Sequence, residues 1–103
     1  MTKAFRIHGL AEDELTSAAS WYESKQAGLG ESLLDLVDNI VDRICSGSLP
    51  SSPIPGVAAK GARRVLLRRF PYSIVFYERR EEIMIVAFAH SSQRPGYWRS
   101  RKL

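Results

Sequence analysis

One cysteine and two histidines are all that 103 residues offer of the side chains that cross-link, ligate soft metals or attack as thiolates. A single cysteine forms no internal disulfide, and Cys45, next to Ile44 on an apolar helical stripe, reads as a small buried hydrophobe. Two histidines and scattered acids give no zinc or calcium spacing, so no metal and no other cofactor is expected. The chain has no glycine-rich phosphate loop, no nucleophile elbow and no internal repeat. No apolar run approaches the roughly 20 residues that span a bilayer. The opening Met-Thr-Lys-Ala-Phe-Arg-Ile-His has no apolar signal core, so the expectation is a cytoplasmic chain without a membrane role.

Acids are scarce in the second half. Up to Ser52 there are 8 acids and 4 bases, net −4, and from Pro53 onward 3 acids and 11 bases, net +8. A chain of this length forms one domain (1–103) that buries only about two-thirds of its unfolded surface. An acidic half joined to a basic half is built to meet a polyanion or an acidic partner.

Residues 4–8 read as a short strand that Gly9 breaks. Residues 11–26 read as a helix with acids in its first turn, and Leu15, Ala18, Ala19 and Tyr22 recur at helical spacing. After a break around Gly28 and Gly30, a second helix covers 31–45, with Leu33, Val37, Ile40 and Ile44 on its apolar stripe and Asp35, Asp38 and Asp42 opposite. Residues 46–61, rich in Ser, Pro and Gly, form a long loop whose prolines should keep it out of any sheet. Strands follow at 62–69, 72–78 and 82–90 with short connections, an antiparallel meander. Residues 97–103 form a short basic tail. The order β-α-α-β-β-β predicts an α+β domain with a helical hairpin on one face of a small, mostly antiparallel sheet.

Period two divides the strands. It places Arg64, Leu66 and Arg68 on one face and Arg63, Val65, Leu67 and Arg69 on the other, with any arginine on the helix side near a strand end. It places Met84, Val86, Phe88 and His90 together, opposite Ile83, Ile85, Ala87 and Ala89. His90 thus ends a strand beside the loop that carries Arg94, a natural place for a site. Metal-free cleavage of RNA needs a base for the 2′-hydroxyl, donors for the phosphate oxygens and an acid for the leaving oxygen. His90 is the candidate base or acid, Arg68 and Arg94 the candidate phosphate clamps, and Tyr97 the candidate acid or stacking platform. Arg63, Arg64, Arg69, Tyr77, Trp98 and Arg99 are candidate contacts to RNA or to a protein partner. Plainer roles compete: Tyr97 and Trp98 could close the open end of the core, Trp21 and Tyr22 serve helix packing, and His8 serves structure.

The run Arg-Arg-Val-Leu-Leu-Arg-Arg-Phe-Pro-Tyr-Ser-Ile-Val-Phe-Tyr (63–77), with Ile-Val-Ala-Phe-Ala-His (85–90) and Arg-Pro-Gly-Tyr-Trp (94–98), resembles the RelE/ParE toxins of bacterial type II toxin–antitoxin systems, in particular the plasmid stabilisation proteins. The early strand, the helical hairpin and the Gly-Leu-Gly at 28–30 match too. The resemblance implies a cytoplasmic toxin held inactive by a cognate antitoxin, whose disordered segment folds as it wraps the toxin. It also implies one of two targets, and the candidate acid–base and arginine set makes the first, mRNA, the leading expectation. RelE-like members are endoribonucleases that cut mRNA on the ribosome, and Arg64, Arg68, Arg94 and Tyr97 could fill their catalytic roles, with Lys60 the only lysine near the sheet. ParE-like members act on DNA gyrase without nuclease chemistry. A relative that keeps antitoxin binding but not toxicity is a further possibility.

Overall fold

A computed structural model of the chain describes residues 2–55 and 61–103. The loop expected at 46–61 and Lys60 therefore lie partly or wholly outside the described residues. Two helices cover one face of a five-stranded sheet of order β1-β5-β4-β3-β2. The strands are β1 (Ala4–Ile7), β2 (Ser52–Pro53), β3 (Ala62–Leu66), β4 (Tyr72–Glu78) and β5 (Glu82–His90), and the helices are α1 (Gly9–Lys25) and α2 (Leu29–Ser46). The expected meander is present as β3-β4-β5. β1 joins it in parallel, Phe5 opposite Ile83 and Ile7 opposite Ile85.

Gly9 begins α1 instead of merely breaking the strand, because His8 is the N-cap: its Nδ1 accepts the Leu10 N–H at 3.1 Å. α2 is capped from the other helix. Glu23 near the end of α1 accepts the Gly28 and Gly30 N–H groups at 2.9 and 3.0 Å, holding negative charge at the positive end of α2. Gly30 sits so close to α1 that a Cβ there would collide with the Ala19 carbonyl oxygen. With Ala11, Ala18 and Ala19 buried on α1, small residues let the helices and sheet approach. Leu33, Val37, Ile40 and Ile44 then meet Val65, Ile74, Phe76 and Ile85 in the main core.

Four expectations need correction. The prolines do not keep the loop out of the sheet, since Ser52–Pro53 pairs with Arg63–Arg64 as an edge strand, where a missing N–H can face outward. The strand expected at 62–69 ends at Leu66, so Arg68 and Arg69 stand exposed in the turn before β4. Trp21 does not serve helix packing: it is 56% exposed, with the Lys25 ammonium 5.1 Å from its ring centre. Tyr22, by contrast, packs edge-on against Phe70 as expected.

The last correction concerns β5. Val75 lies opposite Ala87 and Phe76 opposite Ile85, so Val86 is an extra residue, a bulge. The bulge interrupts the period of two. Ile83 and Ile85 face the helices, Val86 and Ala87 both join the outer cluster, and Phe88 returns to the helix side. His90, level with Tyr72, follows Phe88 to that side instead of sharing the face of Met84 and Val86. The outer sheet face has its own small core of Ala62, Val75, Val86 and Ala87, sealed by Trp98, which is 3% exposed.

Candidate functional site

β1 pairs only with the first half of β5, which leaves the second half of β5 as an open edge. Glu14 and the tail close it. The Glu14 carboxylate accepts the Phe88 N–H at 3.1 Å, the Tyr97 O–H at 2.6 Å and the Arg101 guanidinium at 2.9 and 2.8 Å. Arg101 also donates to the Val86 carbonyl at 2.9 Å and lies 5.1 Å from the centre of the Tyr97 ring. The tail therefore crosses the outer face with Trp98 and reaches round the edge to the helix side with Tyr97 and Arg101.

Burial works against the Glu14 carboxylate. The hydrogen bonds from Arg101, Tyr97 and Phe88 and the charge of Arg101 outweigh it and hold its pKa below the usual carboxylate range. Burial, then the bond to Glu14, pushes the Tyr97 phenol well up. The bond to Glu14 raises Arg101, against the effect of its own burial.

Of the residues singled out in the sequence, Arg64, Arg94, Tyr97 and Trp98 line one pocket of about 140 Å³ on the outer face, and His90 borders it too, although its ring lies against Tyr72 on the helix side. The turn that carries Arg94 is shaped by His90: its backbone N–H donates to Gln93 Oε1 at 2.8 Å, and its Nδ1 faces the Ser92 N–H at 3.0 Å and hydroxyl at 2.7 Å. Because Nδ1 accepts the Ser92 N–H, a neutral His90 carries its proton on Nε2. Its ring meets Tyr72 edge-on at 5.0 Å, and Tyr72 stacks on Phe88 at 4.4 Å.

The other candidates are dispersed. Arg63 faces the helices near the start of β3 and donates to the Ser51 hydroxyl at 2.6 Å and carbonyl at 2.7 Å. Arg69 sits 5.5 Å over Phe70 and Arg68 beside it is exposed, so neither lines the pocket with His90 and Arg94. Arg99 folds back on the Gly96 carbonyl at 3.0 Å, over a glycine with φ of 76°. Tyr77 packs edge-on to Trp98.

Along α1 runs a larger groove, about 790 Å³, between Trp21, Leu10 and Ala18 on the helix and Pro71, Tyr72 and Phe88 on the sheet. Glu14, Arg101 and His90 stand along it, so the tail clamp forms part of its wall. Among the described residues no group of three or more His, Cys, Asp or Glu side chains could hold a metal ion, and no helix is long and apolar enough to cross a membrane.

No protein-family model matches the chain. Toxin ParE2 of Mycobacterium tuberculosis, in strains CDC 1551 and H37Rv, is 30% identical to it over 93% of this chain and 89% of the relative. The chain belongs to the RelE/ParE toxin family. Among solved structures it superposes on a chain of the chromosomal ParDE TA system from P. aeruginosa with a TM-score of 0.61, covering 86% of this chain and 96% of the other. At 21% identity that match speaks for the RelE/ParE fold alone.

Two residues of this RelE/ParE chain's best-connected cluster were not singled out in its sequence. In the sequence Glu14 is one of three acids opening the helix, yet it stands between Ala11, Leu15 and Ala18 on the apolar stripe of α1. A carboxylate on that stripe calls for a cation. Arg101, near the far end of the chain, gave no local signal of being that cation.

Proposed function

We propose that this chain is the toxin of a ParDE-type toxin–antitoxin pair and that it stops growth by binding DNA gyrase, not by cutting RNA. The observation that carries the choice is the state of the acid–base groups. RNA cleavage needs a free base and a free acid on either side of one phosphate. The Tyr97 proton is held by Glu14 at 2.6 Å, and both burial and that bond raise its pKa, which makes Tyr97 a poor acid. His90 directs its basic nitrogen at Ser92, and its other nitrogen carries the proton. Arg68 lies outside the pocket. The surfaces left for work are binding surfaces: the groove beside exposed Trp21 and the tail fastened over β5.

One observation favours the ribonuclease. Arg64, His90 and Arg94 do share a pocket, which is what holding a phosphate requires. Induction of the chain in growing bacteria without its antitoxin separates the two readings. Altered supercoiling with intact messages, and arrest that survives His90→Ala, is the expected result. Rapid loss of translated messages with normal supercoiling, abolished by His90→Ala, would overturn it. Unimpaired growth with folded protein would leave only the antitoxin-binding role.

A further inference from the structure

The outer side of α2 carries Glu31, Asp35, Asp38 and Asp42 at steps of four, three and four, a single stripe about 16 Å long. Like charges at that spacing oppose the helix, and Asp42 stands toward the C-terminal end, where the helix dipole disfavours an anion. None of the four makes an ion pair among the described residues. Glu31 lies in the first turn, where the helix dipole favours it, but among the described residues no cation compensates for Asp35, Asp38 and Asp42.

Beside it lies an opening in the core. A cavity of about 320 Å³ runs under α2 between Val37, Val41 and Ile85, and Phe5, Asp38 and Asp42 also line it. Phe5 is 49% exposed although β1 turns it to the helix side, and among the described residues β1 is an edge strand with no neighbour beyond it. An apolar hollow with two unpaired carboxylates at its mouth repels nucleic acid and anionic lipid alike. It fits an apolar side chain flanked by cations.

We propose that the α2–β1 hollow seats a segment of the antitoxin in which an apolar anchor is flanked by lysines or arginines. The inference rests on the toxin–antitoxin reading and adds a charge polarity to it. An acidic stretch suits the basic sheet half of the toxin, and this second, basic stretch suits the acidic hairpin. One wrapping partner would then mirror the division of charge along the toxin.

The test is binding of the purified toxin to the antitoxin encoded beside it, measured at several salt concentrations for wild type, Asp38→Lys/Asp42→Lys and Phe5→Ser. All three positions are exposed and outside the Glu14 cluster, so unchanged melting temperatures confirm intact folds. Charge reversal is expected to weaken binding at least tenfold at low salt, through slower association, and to flatten the salt dependence. Phe5→Ser is expected to speed dissociation several-fold. Folded variants that bind within twofold of wild type would overturn the assignment while leaving the toxin–antitoxin reading intact. Failure of the wild type to bind would overturn both. Self-association of the wild type that charge reversal abolishes would give the hollow to a second copy and overturn the antitoxin assignment. Should the double lysine variant melt lower, Asp38→Asn/Asp42→Asn answers the same question.

Discussion

Removing the carboxylate of Glu14 should unfasten the tail, and the size of the effect follows from its partners. Four hydrogen bonds end on this group, two of them from Arg101. Breaking a fully buried pair by deleting one partner costs about 3–5 kcal/mol, because the other charge is left behind. The Arg101 and Glu14 side chains keep 10% and 20% of their surface exposed, so Glu14→Ala should cost about 3 kcal/mol. At roughly 4–8 °C per kcal/mol for a domain of this size, the melting temperature should fall by about 12–24 °C. Glu14→Gln keeps the shape and loses the charge, and should cost about half as much. In the double-mutant cycle with Arg101→Met, the two changes should couple by about 1–3 kcal/mol.

Acid should act on the same pair. The folded pKa of Glu14 lies below its ordinary, unfolded value, so its contribution is complete above the unfolded pKa and is lost as pH falls through the folded one. In a Trp21→Phe background the emission of buried Trp98 reports the tail alone. It should hold at pH 7 and 5 and shift to the red only in stronger acid. A coupling under about 0.5 kcal/mol, with Trp98 emission unchanged in Glu14→Ala, would refute the clamp.

Gly30→Ala should destabilise by about 1–3 kcal/mol in thermal melts, because the new methyl group forces α1 and α2 apart at the Ala19 carbonyl. Glu23→Ala should cost about 1–2 kcal/mol and speed amide exchange at Gly28 and Gly30, whose N–H groups it leaves unpaired. Trp98→Ala should cost about 3–5 kcal/mol and expose Val75 and Val86, read as dye binding to the outer sheet face. Cys45, buried and with its thiol pKa pushed up by burial and by Asp42, should resist alkylation until the chain unfolds.

The order of elements was legible because periodicity and punctuation carry it. Leu33, Val37, Ile40 and Ile44 mark α2, and Pro71 marks the turn before β4. What escaped depends on contacts between distant parts of the chain. No local pattern says that β5 bulges at Val86, yet that one residue moves Phe88 and His90 to the other face. The pairing of Ser52–Pro53 needs β3 beside it before it has meaning. The arginines read as one group because they are close in sequence. Arg63, Arg69 and Arg99 find local partners instead, while Arg64 and Arg94 are left in the pocket with His90. The strongest polar cluster joined residues 87 positions apart, too far for any spacing rule to reach.

That separation also imposes an order of events on a growing chain. The helical hairpin is local and can form as soon as it is made, whereas β1 must wait for Glu82–Ile85 before it has a neighbour. The clamp on Glu14 waits longer still, for Arg101, 87 positions further along the chain. A ribosome part-way through the message therefore holds a hairpin with no completed sheet and a carboxylate with no cation. The sheet edge is therefore fastened long after the hairpin that begins the fold, and that interval gives a partner time to be at hand.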